Sequence, residues 1–185
     1  MKRLSLMFCP LLFASALWAQ SKNPITDVLR EALPGRQKNT LAAFEAMPAD
    51  KFDYKPTPEQ MTFGHLAAHI SEANYFFCSN VGDVPRPKIE ELQGTEGKEK
   101  LVAAMQASFD FCATALAKAD DSKFNDPITW FDNKPRPRAW AVVALASSWA
   151  DHYATAAMYL RLNNLLPPTA QKPKADEKKP GETKK

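Results

Sequence analysis

The sequence predicts an all-α fold, a four-helix bundle with long connections between the helices. Three observations carry this. Apolar residues recur at three- to four-residue spacing in four separate stretches. Turn and cap residues punctuate those stretches: Pro24 before the first, Thr62 before the second, the loop VGDVPRPK between the second and third, and Asn163-Asn164 then Pro167-Pro168 after the fourth. No segment alternates as a half-buried strand would, and no internal repeat is visible.

The start of the chain stands apart from this pattern. MKRLSLMFCPLLFASALWAQ places Lys2 and Arg3 ahead of an apolar run from Leu4 to Trp18, interrupted by Ser5, Pro10 and Ser15. That layout is expected of a secretory signal, residues 1–19, and is too short to read first as a membrane span. Cleavage fits after Ala16 or after Ala19, and an uncleaved helix is the competing reading. The expectation is an exported protein, periplasmic or extracellular, with no stable membrane span once the signal is gone. Cys9 then leaves with the signal. Cys78 and Cys112 remain as an even pair in an oxidising compartment, expected as a disulfide rather than as two buried thiols. Such a bond stabilises by about 3–4 kcal/mol on the loop-entropy model. There is no C-x-x-C spacing, so a redox role is not expected.

Charge narrows the partners. The formal net charge of +3 falls to +1 when Lys2 and Arg3 are removed. The end of the chain, AQKPKADEKKPGETKK, holds six lysines against Asp176, Glu177 and Glu182, which leaves the body near −2. A slightly acidic body offers no electrostatic footprint for nucleic acid. Residues 169–185 lack the apolar side chains that would offset their ordering entropy, so a disordered Lys-rich tail is expected there, and the folded domain is placed at 20–168.

The first helix is expected over Ile25–Met47, broken or kinked at Pro34-Gly35. After the turn-rich MPADKFDYKPTPEQM, the second runs from Thr62 to about Asn80, with Phe63, Leu66, Ile70 and Phe77 on its core side. The third starts near Thr95, tolerates Gly97 in its first turn and reaches about Lys118; Leu101, Met105, Ser108, Cys112 and Ala115 form its stripe. DDSKFNDPITWFDNKPRPR is a long connection, in which Trp130-Phe131 either line a cleft mouth or plug the loop onto the core. The fourth helix runs from about Arg138 to Asn163 with Leu145, Trp149, His152, Ala156 and Tyr159 on one stripe.

The histidines are the chemistry-bearing residues. The chain has three, and two lie one helical turn apart in TFGHLAAHI. His152 falls on the apolar face of the fourth helix, where a buried imidazole costs free energy unless its nitrogens find partners. His69 lies on the shoulder of the second helix's core face, and His65 further round beside Glu72 and Phe76. Imidazoles from facing helices are one way a bundle holds a metal, and His69 with His152 is such a pair. His65 is a candidate third ligand by its spacing from His69, although its angle points it to solvent. Asp151, next to His152, points about 100° away from it. From the residues alone, a metal site and a satisfied structural pair both stay open.

DKFDYKPTPEQMTFG, HLAAHI and HYATAAMYLRLNNLLPP together resemble the DinB-like superfamily of four-helix proteins, over roughly Asn23–Pro168. That family is similar in fold to bacterial thiol-S-transferases and maleylpyruvate-isomerase-like proteins. The resemblance implies a metal site with one histidine on the second helix, here His69, and an H-x-x-x-H pair on the fourth, whose second member is His152. The first member's position holds Ser148, so the implied ligand set is depleted; the Gly-Gln that often follows the family's histidine is replaced by Ala154-Thr155. Two functions are therefore expected in competition. One is an exported, divalent-metal-dependent thiol transferase or hydrolase using zinc or nickel and a small-molecule or thiol substrate. The other is a non-catalytic envelope protein that keeps the bundle and disulfide and binds a small ligand or partner. Homodimerisation is left open.

Overall fold

The computed structural model describes residues 21–172. The expected signal and most of the lysine-rich tail lie outside the described residues. Four helices form the domain: α1 (Pro24–Ala46), α2 (Phe63–Gly82), α3 (Lys98–Leu116) and α4 (Ala139–Leu162). α1 and α2 each pack against both α3 and α4. Among the described residues no helix is long and apolar enough to cross a membrane.

The helix starts show how local chemistry sets the boundaries. Thr62 caps α2, its hydroxyl accepting from the backbone N–H of His65 at 3.1 Å. α1 has no side-chain cap of its own. Asp121, near the start of the α3–α4 connection, accepts from the N–H groups of Ile25 (2.8 Å) and Thr26 (3.1 Å) and from the Thr26 hydroxyl. Lys98 serves the other end of α1, donating to the carbonyls of Glu45 and Met47. Arg30 in turn donates to the carbonyls of Leu116, Ala117 and Ala119 at the end of α3. The dipoles of α1 and α3 are thus met by charges of the right sign from other elements.

Three expectations are corrected. α1 is continuous through Pro34 and Gly35. Both residues are exposed, so the backbone bond that proline forfeits is lost on the solvent side, while Leu29, Leu33, Ala43 and Phe44 bury one face on either side of it. α3 begins at Lys98 rather than Thr95, because Gly97 adopts φ 88° as its N-cap. The long connection also contains a strand pair that period-two reading does not reveal. β1 (Pro127–Thr129) and β2 (Pro135–Pro137) are antiparallel, with Ile128 opposite Arg136. Their turn is closed by Trp130 N–H on the Lys134 carbonyl (3.0 Å), with Asn133 in the left-handed region at φ 58°.

The core runs the length of the bundle, with Phe44, Phe63, Leu66, Ile70, Leu101, Met105, Phe109, Leu145, Trp149 and Tyr159 buried. Phe77, expected on the core side, is only half-buried. At one end the turn-rich segment after α1 folds back so that Phe52 meets Phe63 edge-on and Tyr54 meets Tyr159; the Tyr159 hydroxyl donates to the Met61 carbonyl at 2.7 Å. A polar chain crosses the interior: Trp149 Nε1 donates to Asn74 Oδ1 (3.0 Å), Asn74 Nδ2 to Ser108 Oγ (3.0 Å) and Ser108 Oγ to the Met105 carbonyl (2.7 Å). These bonds satisfy the buried groups of α2, α3 and α4 together. Cys78 and Cys112 form a disulfide between α2 and α3, with Cα atoms 5.1 Å apart. The ordered domain extends past Pro168: Thr169 bonds the Tyr153 hydroxyl through both its N–H and its own hydroxyl.

Candidate functional site

The pairing of α2 with α4 brings His69 and His152 together. Their ring centroids are 5.0 Å apart and their planes cross at 82°. The two rings sit in a cleft of about 450 Å³. Its walls are two facing stripes of the same spacing: His69, Glu72, Ala73 and Phe76 on α2, and Ala144, Ser147, Ser148, Asp151 and His152 on α4. Phe77 and Phe131 complete the lining. His69 itself is exposed at this surface and His152 half-buried. The apolar-face projection puts His152 in mid-core; the cleft instead runs along the shoulder where the two helix faces diverge.

His65 is placed elsewhere. It lines a separate groove with Arg86 and Gln93, its Nδ1 3.4 Å from the Gln93 carbonyl oxygen. Ser148 stands one helical turn before His152, and its Oγ lies 3.1 Å from His152 Nδ1. The hydroxyl that takes the place of an expected imidazole is thus the polar partner of the one that remains. Burial, and then the neighbouring His69, push the His152 pKa down to about 4, with Asp151 acting the other way. At neutral pH this imidazole is uncharged.

The aromatic wall is built by the hairpin. Phe131 stacks on Phe76 at 4.0 Å with planes 20° apart, and Trp130 lies over Phe77 at 5.9 Å. Of the two residues expected either to line the mouth or to plug the loop, Phe131 lines the cleft and Trp130 anchors the hairpin. Arg136 in turn sits 4.8 Å over the Trp140 ring. Phe131 remains 62% exposed, which marks it as a surface the fold does not need to bury. Glu72, Phe76 and Ser147 line the cleft although no apolar stripe in the sequence marks them. Their spacing from His69 and Ser148 was the available signal, legible once the shoulder rather than the face centre is projected.

A divalent metal can be tested against these donors. Two imidazoles with centroids 5.0 Å apart are close enough to share one ion at bonds of ~2 Å. A catalytic zinc uses about three protein ligands. Among the described residues no group of three His, Cys, Asp or Glu side chains is arranged to hold an ion. The donors fit a two-imidazole half-site and do not fit the three-imidazole centre that the resemblance implies.

No curated protein matches the chain. The family model of the DinB superfamily matches residues 32–156, a span that holds most of α1, all of α2 and α3, the hairpin, and α4 through Ala156, with His69, Ser148 and His152 inside it. Matched over more than half its length, and folded as four helices, the chain belongs to the DinB superfamily.

Proposed function

We propose that the chain is a small-molecule-binding protein whose binding centre is the His69–His152 cleft, and whose histidines act there as hydrogen-bonding and packing groups. The observation that carries this reading is the Ser148–His152 contact at the position where the family resemblance implies another imidazole. The cleft's volume is in the range usual for ligand pockets, and its lining is largely apolar with a few convergent polar groups. His152, uncharged, presents one ring nitrogen to Ser148 and leaves the other for a ligand. Phe76 and Phe131 exclude water from one side, and Ser147 adds a second hydroxyl. This keeps the exported binding protein of the sequence reading and does not need chemistry on the ligand.

One observation favours the competing metal-dependent transferase or hydrolase: the two imidazoles are within reach of a common ion. A bound zinc or nickel would supply Lewis acidity and a lowered pKa for water or thiol. Elemental analysis of the oxidised protein separates the readings. The binding-protein reading expects substoichiometric metal and a melting temperature unmoved by added zinc. Stoichiometric zinc or nickel, abolished by both His69→Ala and His152→Ala, would overturn it. Ser148→His supplies the absent donor, and we expect it to tighten zinc binding at least tenfold, read by competition with a chromophoric chelator.

A further inference from the structure

We infer that the ligand of this cleft is an apolar organic cation, an ammonium group carried on a flat aromatic or alicyclic body. The inference rests on the reading that the cleft is the binding centre and narrows it to a chemical class. Its first support is the aromatic wall. Phe76 and Phe131 stack at 4.0 Å, Phe77 stands 5.9 Å from Phe131 with planes crossing at 76°, and Phe131 keeps 62% of its surface open. Ring faces attract cations and bury flat apolar bodies.

The second support is charge. No lysine or arginine lines the cleft, whereas Glu72 and Asp151 both do. Arg86 approaches Glu72 at 3.5 Å from the neighbouring groove; Asp151 makes no ion pair among the described residues. An anion entering here would lose hydration beside two carboxylates, with the Ser147 and Ser148 hydroxyls and the two imidazoles as the donors of the lining. A neutral body gains the aromatic wall alone. A cation gains the ring faces and the carboxylates together.

Three probes of matched shape test this on the full-length oxidised protein treated with EDTA, so that bound metal does not enter. They are 2-phenylethylammonium, 3-phenylpropionate and 2-phenylethanol, titrated at low salt while the ring resonances of His69 and His152 are followed by NMR. The ammonium is expected to bind at least ~10-fold tighter than the carboxylate, with the alcohol between them. Asp151→Asn should shrink the ammonium-to-carboxylate ratio by roughly 3-fold or more and leave the alcohol unchanged, whereas Phe131→Ala should weaken ammonium and alcohol alike. The comparison of probes on the unmodified chain decides the charge question without any variant. A carboxylate that binds as well as the ammonium overturns the inference and leaves the cleft as a binding centre. Imidazole resonances that none of the three probes moves would overturn the binding-centre reading itself.

Discussion

His152 shows how one residue ties the cleft to the stability of the whole chain. Its pKa is lowered from 6.5 to about 4 in the folded state, by burial first and by His69 second. The unfolded chain therefore takes up the proton first as pH falls. The stabilisation from holding this ring neutral is complete above about pH 6.5 and is lost progressively toward pH 4. We expect it to amount to on the order of 2 kcal/mol, with the ring's open edge screened by solvent. Urea midpoints at intervals from pH 7 to 4 check this: His152→Gln, which keeps a neutral partner for Ser148, should flatten that part of the profile relative to the unmodified chain. At this scale the sequence was informative in a particular way. The scarcity of histidine identified His69 and His152, because an imidazole on an apolar stripe must find partners. Asn74 escaped notice although it bonds both Trp149 and Ser108, because an asparagine in a helix has no period of its own to betray burial.

Among the elements, α2 and α3 approach each other closely at Gly82. A Cβ placed on Gly82 would collide with the backbone carbonyl of Ala115, which belongs to a helix and cannot retreat. Gly82→Ala is expected to destabilise the protein by about 2–3 kcal/mol, read as a lowered thermal midpoint. Gly35 is the control: nothing lies within 4 Å of its Cβ position, and it sits in mid-helix. Gly35→Ala should raise stability by roughly 0.5–1 kcal/mol. The helix spans were legible because each repeats its apolar positions over several turns. The hairpin was not, because three-residue strands are too short for alternation to accumulate. The unbroken course of α1 was hidden for another reason: whether proline breaks a helix depends on what the flanking turns bury, and that is a tertiary fact.

For the molecule as a whole, the Cys78–Cys112 bond constrains the unfolded chain more than it shapes the folded one. It closes a loop of sequence separation 34, for which chain entropy predicts about 3–4 kcal/mol of stabilisation. Reduction with a thiol should lower the unfolding free energy extrapolated from denaturant titration by that amount and leave far-UV circular dichroism at low denaturant intact, since α2 and α3 keep their buried faces. The candidate site was legible as a pair of residues and not as a cleft, because a cleft depends on the angle between two helices, which no single stripe encodes. The hairpin that completes it has one more consequence. In β2 the inward position belongs to Arg136, opposite Ile128, so Pro135 and Pro137 occupy the outward ones. That rim of the ladder carries no amide hydrogens, and a stray strand from another molecule finds no donors there to zip onto. Along its β2 edge, the loop that presents an open aromatic ring to water thus offers no backbone donor from which a fibril could be seeded.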